Sequence, residues 1–323
     1  MSCSDPAAAQ AAVANVPCVL FAYHAMGHAG LATLLEMGVP VAALVTHRDD
    51  PGEEIWWESC AELARSRAIP VYAPETIDRV LIDQVARLRP AIVYSFNYRH
   101  LLPDELLKLA PRGAFNLHGA LLPRYRGRAP VNWVLINGER ETGVTLHHMV
   151  RRADAGDIVG QRAIAIDDED TALSLFHKLV PLAAGLIREF HPLIVAGGAP
   201  HHPQDLSEGC YVGRRRPRDG RIDWQWPARR IFNMVRAVTH PYPGAFCSAN
   251  GRKLLVWRAR IIHEDGWRGA PGEILGDGNG ARDEVEVAAG EGSLRIERLQ
   301  FEGGGEGAAA QVLSGWQTGA RLE

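Results

Sequence analysis

Short apolar runs alternate with helical patterns through the N-terminal part of the chain, and this alternation constrains the fold more than any other feature. Strands followed by helices build a mainly parallel sheet with helices on both faces. Ligands of such sheets bind beyond the carboxyl ends of the strands. We therefore predict an α/β, Rossmann-like domain whose functional loops follow Tyr23, Thr46, Ser95, His118 and Met149. The predicted strands are Cys18–Tyr23, Val41–Thr46, Pro70–Tyr72, Ala91–Ser95, Ala114–His118 and, further on, Gly143–Met149.

The helical patterns between these runs have bounds that the sequence also suggests. One helix is predicted over Glu53–Arg67, and another over Thr76–Leu88 with Thr76 as its N-cap. A longer helical pattern covers Thr171–Ala196. These helices would cover the faces of the sheet.

The pattern changes near residue 204. A helix predicted over Ala228–Val238 is followed by several short β-like runs separated by turn residues, which is typical of a small barrel or sandwich. The 323 residues also suggest more than one domain. We predict a flexible leader over residues 1–16, an N-terminal domain over 17–203 and a C-terminal domain over 204–323.

Composition excludes several classes of function. The net charge of −3 gives no bulk attraction to nucleic acid, so no stable nucleic-acid partner is expected. Five cysteines without a CxxC pair disfavour a disulfide framework or zinc knuckle and fit a cytoplasmic setting. No apolar run approaches the roughly 18 residues of a membrane span, and the first residues lack the features of a signal peptide.

Three polar residues form the candidate catalytic set. Asn116 and His118 are two apart on a predicted strand, so their side chains would leave the same face. An amide N–H can stabilise an oxyanion, and an imidazole can move a proton near neutral pH. Asp154, in an Ala-Asp-Ala-Gly-Asp turn, could fix the tautomer of His118 and favour its imidazolium. Turn capping is the alternative role for Asp154, and Asp157 could compete for the contact with His118.

Other polar clusters leave the choice between function and structure open. His147 and His148 would point to opposite sides of a strand, so one should be buried and no metal is expected. Alternate arginines follow His118, and their guanidinium forks would suit a phosphate or carboxylate, with solvated loop charge as an equal alternative. For the Arg214–Arg216 cluster, a solvated linker is favoured over a phosphate-binding patch. The alternate arginines are Arg124, Arg126 and Arg128.

The same residues resemble a known signature. Asn116-Leu-His118, Leu122-Pro-Arg-Tyr-Arg-Gly127 and Asp154-Ala-Gly-Asp157 are similar to the motifs of the folate-dependent formyltransferases. Thr46-His-Arg-Asp-Asp-Pro-Gly-Glu53 and His240-Pro-Tyr-Pro-Gly-Ala-Phe246 resemble the branch that acts on UDP-4-amino-4-deoxy-L-arabinose in lipid A modification and polymyxin resistance. The resemblance implies a Rossmann-like catalytic domain, an OB-like C-terminal barrel and N10-formyltetrahydrofolate as formyl donor.

The resemblance also assigns roles to individual residues. It makes Asn116, His118 and Asp154 catalytic, and it makes Arg128 a contact of a UDP-aminosugar substrate. It gives folate-binding positions to two segments, which are His100, Leu101 and Leu102, and Val150, Arg151, Arg152, Ala153 and Asp154.

The family leaves the acceptor and the assembly open. Another aminosugar nucleotide or methionyl-tRNA is an alternative acceptor, and a non-catalytic folate- or nucleotide-binding module is an alternative function. A homo-oligomer is possible, and no membrane insertion or metal is expected.

Overall fold

The computed structural model describes residues 16–276 and 283–323, so the predicted leader lies outside the described residues except for Val16. The first half contains eight strands, numbered in chain order. They are β1 Cys18–Ala22, β2 Val41–Val45, β3 Val71–Tyr72, β4 Ile92–Phe96, β5 Ala114–His118, β6 Arg126–Gly127, β7 Glu141–His148 and β8 Ile158–Ala165. The helices of this half are α1 His24–Glu36, α2 Cys60–Ser66, α3 Arg79–Arg87, α4 Asp104–Leu107, α5 Pro130–Ile136 and α6 Ala172–Val195.

Seven of these strands form one sheet in the order β3-β2-β1-β4-β5-β7-β8. The first five run parallel, as predicted for a Rossmann-like domain. β7 pairs antiparallel to β5, and β8 pairs antiparallel to β7, so the sheet is mixed at this edge. The predicted fold class is confirmed, with two antiparallel strands added to the parallel sheet.

The direction of β7 corrects one expectation about the functional loops. Met149 donates its backbone N–H to the carbonyl of Ala114, which is the first residue of β5. The loop after Met149 therefore starts beside the amino end of β5, opposite to the end of the sheet at which the carboxyl ends of β1, β4 and β5 lie. The sequence pattern identified the strand, but an antiparallel strand reverses the edge at which its carboxyl end lies.

Successive side chains of the central strands point to opposite faces of the sheet, and both faces are buried. Val19, Phe21 and Val93 pack in one core cluster with Leu81 of α3 and Leu106 of α4. On the other face, the Tyr94 hydroxyl lies 2.8 Å from Nδ1 of His191 in α6. A Cβ on Gly30 of α1 would lie 2.3 Å from the Phe96 ring, so the close approach of α1 to β4 requires glycine. Helices thus cover both faces of the sheet, as the alternating pattern predicts.

Two helices begin later than the sequence pattern suggests. α2 starts at Cys60, where the Ser59 hydroxyl accepts a hydrogen bond from the Glu62 N–H, so residues 53–59 are not helical. α3 starts at Arg79, and the cap is Asp78, whose carboxylate accepts from the Leu81 N–H at 2.9 Å. In both cases a side-chain acceptor satisfies an unpaired N–H of the first helical turn.

The elements of the second half are β9 Tyr211–Val212, α7 Ala228–Val238, β10 Ala245–Ala249, β11 Arg252–His263, β12 Ile274–Gly276, β13 Val285–Ala288, β14 Ser293–Phe301, β15 Gly307–Ala308 and α8 Ala309–Val312. Six of these strands form an antiparallel sheet in the order β10-β11-β14-β13-β12, with β15 paired to β14. Helix α7 packs against β11 in this unit. The antiparallel half-barrel agrees with the predicted barrel class.

The chain forms two compact units that are not contiguous in sequence. Besides Gly213–Glu323, the second unit includes Val131–Arg140 and Ile166–Phe176. The linear boundary between residues 203 and 204 stays a prediction. Across the described part of the chain, no helix is both long and apolar enough to cross a membrane.

Candidate functional site

The candidate site lies on one face of the ladder between β5 and β7. Asn116 and His118 are two apart on β5, which places their side chains on this face. His147 of β7 stands directly opposite Asn116 in the antiparallel register and therefore shares the face. The strand predicted from the sequence and the observed β5 have the same bounds, so the pairing of the amide and the imidazole was visible in the sequence.

Asp154 reaches this face from the loop that follows β7. Its carboxylate Oδ2 accepts a hydrogen bond from the Gly127 N–H at 2.8 Å, and Oδ1 accepts from Asn116 Nδ2 at 3.3 Å. Its backbone φ of 52° lies in the left-handed region, which is uncommon for a residue with a side chain. The structure thus brings together Asn116, His118 and Asp154, the three residues that the sequence put forward as catalytic.

His118 and the Gly127 N–H favour the charged form of the Asp154 carboxylate. Burial would raise the pKa of this carboxyl, but nearby His118 and the hydrogen bond from the Gly127 backbone outweigh burial. The pKa of Asp154 therefore lies well below its ordinary value. The distances are 3.7 Å from Oδ2 to His118 Nδ1 and 3.5 Å from Oδ1 to His147 Nε2.

A backbone carbonyl fixes the protonation pattern of His118. Its Nε2 lies 2.8 Å from the Tyr125 carbonyl oxygen, and a carbonyl can only accept, so Nε2 carries a proton. The nitrogen that can gain or lose a proton is therefore Nδ1, which faces Asp154. His118 is only 6% exposed, so its ring is held by the surrounding structure.

His147 is a member of the site that the sequence did not identify. Its Nδ1 donates to the His148 carbonyl at 2.8 Å, which leaves Nε2 as an acceptor for Asn116 Nδ2 at 3.0 Å. The alternation of a strand predicted that one of the two adjacent histidines would be buried, and His147, at 1% exposure, confirms this. Its partner across the ladder was not predictable without the register of β5 and β7. Within residues 16–276 and 283–323, no cluster of three or more His, Cys, Asp or Glu could hold a metal ion.

The Asn116 amide has two N–H groups, and both have partners. One points to His147 Nε2 at 3.0 Å and the other to Asp154 Oδ1 at a longer 3.3 Å. A reversed amide would place its oxygen against the Asp154 carboxylate, which is electrostatically unfavourable. The longer of these two hydrogen bonds is the one that the amide could more easily exchange for another acceptor.

The predicted folate-binding positions include two exposed apolar side chains. Leu101 is 70% exposed in the loop after β4, and Val150 is 47% exposed in the loop after β7. Leu102, by contrast, is buried in the core. His100 contacts the rings of His47 and Tyr98 edge-on. Arg151 and Arg152 are exposed, and Ala153 is half-buried.

The three alternate arginines do not act as one group. The Arg128 side chain is exposed and donates from Nη2 to the Arg99 carbonyl at 3.0 Å. Arg126 is 4% exposed and turns inward, where Nη2 lies 3.4 Å from the Leu206 carbonyl. Arg124 lies over the Tyr125 ring at 5.5 Å. The expectation of a row of arginines at the functional loops is therefore wrong for Arg126, because the chain bends between these residues.

An aromatic cluster beside Arg128 joins the loops after β1, β2 and β4. The Arg99 guanidinium lies 4.7 Å from the centre of the Tyr23 ring and forms an ion pair with Glu53 at 2.6 Å. His47 stacks on Tyr98 at 4.2 Å, and burial, with nearby His100 and Arg99, lowers its pKa to about 4. His47 is thus neutral near pH 7. The sequence motifs that contain these residues identified the loops, but the sequence did not predict the contacts between the residues of different loops.

Two further alternatives are resolved by contacts elsewhere. The Asp157 carboxylate lies 3.1 Å from His201 Nδ1, so Asp157 does not compete for His118. In the second compact unit, Arg215 is half-buried, lies 4.9 Å from the centre of the Trp133 ring and donates to the Asp219 carbonyl. Arg215 therefore has a structural partner, whereas Arg214 and Arg216 are exposed.

Comparison with solved structures agrees with this architecture. The chain is similar to an N-formyltransferase from Helicobacter canadensis in complex with folinic acid and dTDP-3-aminofucose, with 19% identity over 88% of this chain and 98% of that one, at a TM-score of 0.67. It is also similar to WlaRD, a sugar 3N-formyl transferase, with 17% identity over 88% of this chain and 97% of that one, at a TM-score of 0.64. HypX from Aquifex aeolicus, in complex with tetrahydrofolic acid, matches at 18% identity and a TM-score of 0.62. That match covers 95% of this chain, which spans about half (50%) of HypX. At these identities the similarity shows the fold.

Family models match both halves of the sequence. The model described as formyl transferase matches residues 28–187, which include Asn116, His118 and Asp154. The model described as the C-terminal domain of formyl transferase matches residues 215–317. Together the two models cover most of the chain in the order expected for a two-domain enzyme. The chain therefore belongs to the formyl transferase family.

Proposed function

We propose that this enzyme transfers the formyl group of N10-formyltetrahydrofolate to the primary amine of UDP-4-amino-4-deoxy-L-arabinose. The observation that carries the proposal is the meeting of Asn116, His118 and Asp154 on one face of the β5–β7 ladder. This set provides an amide donor, a titratable ring nitrogen and a fixed carboxylate, which are the groups that acyl transfer to an amine requires.

The reaction exchanges one C–N bond for another. The neutral amine attacks the formyl carbon, the carbonyl oxygen becomes an oxyanion, and the bond from carbon to N10 then breaks. One proton leaves the attacking nitrogen, and one proton reaches N10 of the departing tetrahydrofolate. The attacking amine is already a good nucleophile when neutral, so no covalent enzyme intermediate is needed.

The structure suggests how the three residues divide this work. The Asn116 N–H that now contacts Asp154 at 3.3 Å turns to the oxyanion as it forms. His118 takes the amine proton at Nδ1, because Nε2 is already engaged with the Tyr125 carbonyl. The Asp154 carboxylate stabilises the imidazolium that results, and the proton then passes to N10.

The folate co-substrate is supported by both the family and the local surface. The solved HypX and Helicobacter canadensis structures carry tetrahydrofolic acid and folinic acid, respectively. In this chain, exposed Leu101 and Val150 offer apolar surface to a flat ring system, and burial of such surface favours binding. We place the pterin against His100–Leu102 and Val150–Asp154 on this basis.

An aminosugar nucleotide is supported as the acceptor by the surroundings of Arg128. Its exposed guanidinium fits a diphosphate, and its contact with the Arg99 carbonyl places it beside the loops after β1, β2 and β4. The solved Helicobacter canadensis enzyme is complexed with dTDP-3-aminofucose, and the structure of WlaRD was determined with dTDP. The choice of UDP-4-amino-4-deoxy-L-arabinose, and with it a cytoplasmic role in lipid A modification, rests on the sequence motifs.

A formyl-transfer assay on the purified chain tests the proposal. We expect turnover of UDP-4-amino-4-deoxy-L-arabinose that requires N10-formyltetrahydrofolate, with weaker turnover of other aminosugar nucleotides. Asn116→Ala and His118→Ala should each lower kcat by roughly 10²-fold or more. His263→Ala, in β11 of the second unit, is the matched control and should retain wild-type kcat.

The acceptor panel separates the competing functions. Turnover of methionyl-tRNA alone, with a steep dependence on salt, would identify a tRNA enzyme instead, since phosphate contacts dominate such binding. Turnover of another aminosugar nucleotide alone would change the acceptor and keep the chemistry. Binding of folate and nucleotide without transfer to any acceptor would identify a binding module and refute the proposal.

A further inference from the structure

The catalytic loop from Val150 to Asp157 holds Asp154 in a backbone conformation that the loop itself does little to stabilise. Asp154 has a φ of 52°, and Gly156 packs so closely that a Cβ there would lie 2.0 Å from the His148 carbonyl oxygen. A left-handed conformation at a residue with a side chain costs roughly 1 kcal/mol and persists only where the surroundings enforce it. The groups that enforce it come from a distant part of the chain.

Residues 200–204, here called the 200–204 segment, run along this loop. His202 and Ile158 exchange backbone hydrogen bonds of 2.8 and 3.0 Å, which anchor the segment beside the start of β8. His201 Nδ1 lies 3.1 Å from the Asp157 carboxylate, and its ring stacks on His148 at 3.8 Å. The segment therefore contacts the end of the loop through both backbone and side chains.

Gln204 makes the contact nearest to the catalytic carboxylate. Its Nε2 donates to the Asp154 carbonyl at 3.1 Å and to the Gly156 carbonyl at 2.5 Å. One amide nitrogen thus bridges the carbonyls of Asp154 and Gly156 and fixes the backbone that follows Asp154. The amide oxygen, Oε1, is buried and has no hydrogen-bond partner. A reversed amide would face its oxygen to two carbonyl oxygens, so the donors define this orientation.

We propose that Gln204 is a positioning residue for the formyl transfer reaction. By binding the carbonyls of Asp154 and Gly156, Gln204 fixes the Asp154 carboxylate against Gly127 and His118. The inference rests on the proposed function. Gln204 does not touch the reacting atoms. It acts by holding the loop in the one conformation from which the carboxylate reaches both partners, and such preorganisation is required for catalysis. Leaving Oε1 without a partner is unfavourable, so packing alone does not account for an amide at this position.

The test compares two substitutions with a control in the second compact unit. Gln204→Met keeps the approximate shape and removes both donors. Gln204→Glu keeps the shape more closely but places a carboxylate against two carbonyl oxygens. The control is Gln300→Met, since Gln300 also uses its amide for two bonds, accepting from Trp257 and donating to the Gly304 carbonyl.

Steady-state kinetics separates positioning from packing. We expect Gln204→Met to lower kcat about tenfold, with the KM of donor and acceptor changed by less than about twofold. Gln204→Glu should lose more activity than Gln204→Met, whereas a packing role predicts the reverse order because glutamate is the better isostere. Gln300→Met should retain wild-type kcat. A kcat of Gln204→Met within twofold of wild type would overturn the proposal. A loss of activity that is fully explained by the fraction of unfolded Gln204→Met protein would also overturn it.

Hydrogen exchange supplies a readout that does not depend on turnover. The Gly127 N–H is bound to Asp154 Oδ2, so it should exchange at least about tenfold faster in Gln204→Met and at the wild-type rate in Gln300→Met. Unchanged exchange at Gly127 would refute the positioning role even if the wild-type protein formylates none of the acceptors. If the wild-type protein is inactive but exchange responds as expected, the proposed function fails and the positioning of Asp154 stands.

Discussion

Replacement of Asp154 by asparagine removes one charge and keeps nearly the same shape, so it tests the electrostatic part of the site with little change in packing. The carboxylate now accepts from the Gly127 N–H at 2.8 Å and from Asn116 Nδ2 at 3.3 Å. An asparagine that kept the Gly127 bond with its oxygen would turn its own NH₂ toward the NH₂ of Asn116. The variant therefore loses the charge that faces His118 and also sets two donors against each other.

The size of the effect follows from the distance to His118. A unit charge at 3.7 Å from the imidazolium contributes about 4.5 kcal/mol at an effective dielectric constant of about 20. If the imidazolium is fully formed in the transition state, this corresponds to a loss of roughly 10³-fold in kcat. Since 3.7 Å is longer than a hydrogen bond and Asp154 is 13% exposed, a loss between ~10² and ~10³-fold is expected.

The assay is the kcat of formyl transfer for Asp154→Asn beside Asp83→Asn. Asp83 pairs with Arg79 within α3 and is more exposed, so its variant should keep the wild-type activity. Stability adds an independent check. Because the pKa of Asp154 is lowered in the folded protein, its contribution is complete above pH 4 and is lost as the pH falls further. A loss of less than tenfold for Asp154→Asn, or equal losses for both variants, would refute this role of the charge.

Three further substitutions test the fold around the site. His191→Gln should flatten the dependence of unfolding free energy on pH, because burial lowers the pKa of His191 from 6.5 to about 4. This histidine alone should destabilise the wild type by up to about 3 kcal/mol as the pH falls between these values, measured by urea unfolding. Gly156→Ala should lower kcat more than tenfold through its clash with the His148 carbonyl, whereas Gly185→Ala, with nothing within 4 Å, should raise helix stability by ~0.5–1 kcal/mol. Asp78→Ala should cost about 1 kcal/mol in thermal or urea unfolding, because it removes the cap of α3.

Local pattern predicted the strands and the face of the site, because both depend on residues close in sequence. β5 has the predicted bounds Ala114–His118, and α7 has the predicted bounds Ala228–Val238. The side-by-side placement of Asn116 and His118 follows from the period of two in a strand. The pairing of strands that are distant in sequence could not be predicted in this way. The antiparallel direction of β7 and the position of His147 opposite Asn116 depend on how strands distant in sequence meet.

Tertiary contacts also override local preference at the functional loops. The helical pattern of Glu53–Arg67 fails over its first residues, since Glu53 pairs with Arg99 and the Trp57 ring contacts Tyr23 edge-on. These contacts between the loops after β1, β2 and β4 stabilise a non-helical path up to the cap at Ser59. A sequence pattern reports intrinsic preference, and the functional edge of the sheet is where that preference is most often overridden.

The protonation of His118 shows why a list of candidate residues does not by itself give a mechanism. Two imidazole nitrogens were equally available in the sequence, and either could have carried the reacting proton. The Tyr125 carbonyl engages Nε2, so the proposed mechanism assigns proton transfer to Nδ1, on the side of the ring that faces Asp154. It follows that Asp154 lies next to the moving proton rather than behind the ring. In the proposed mechanism, His118 and Asp154 thus form one proton-handling unit, and a conformation of the loop that displaces the carboxylate would also change the acid–base group itself.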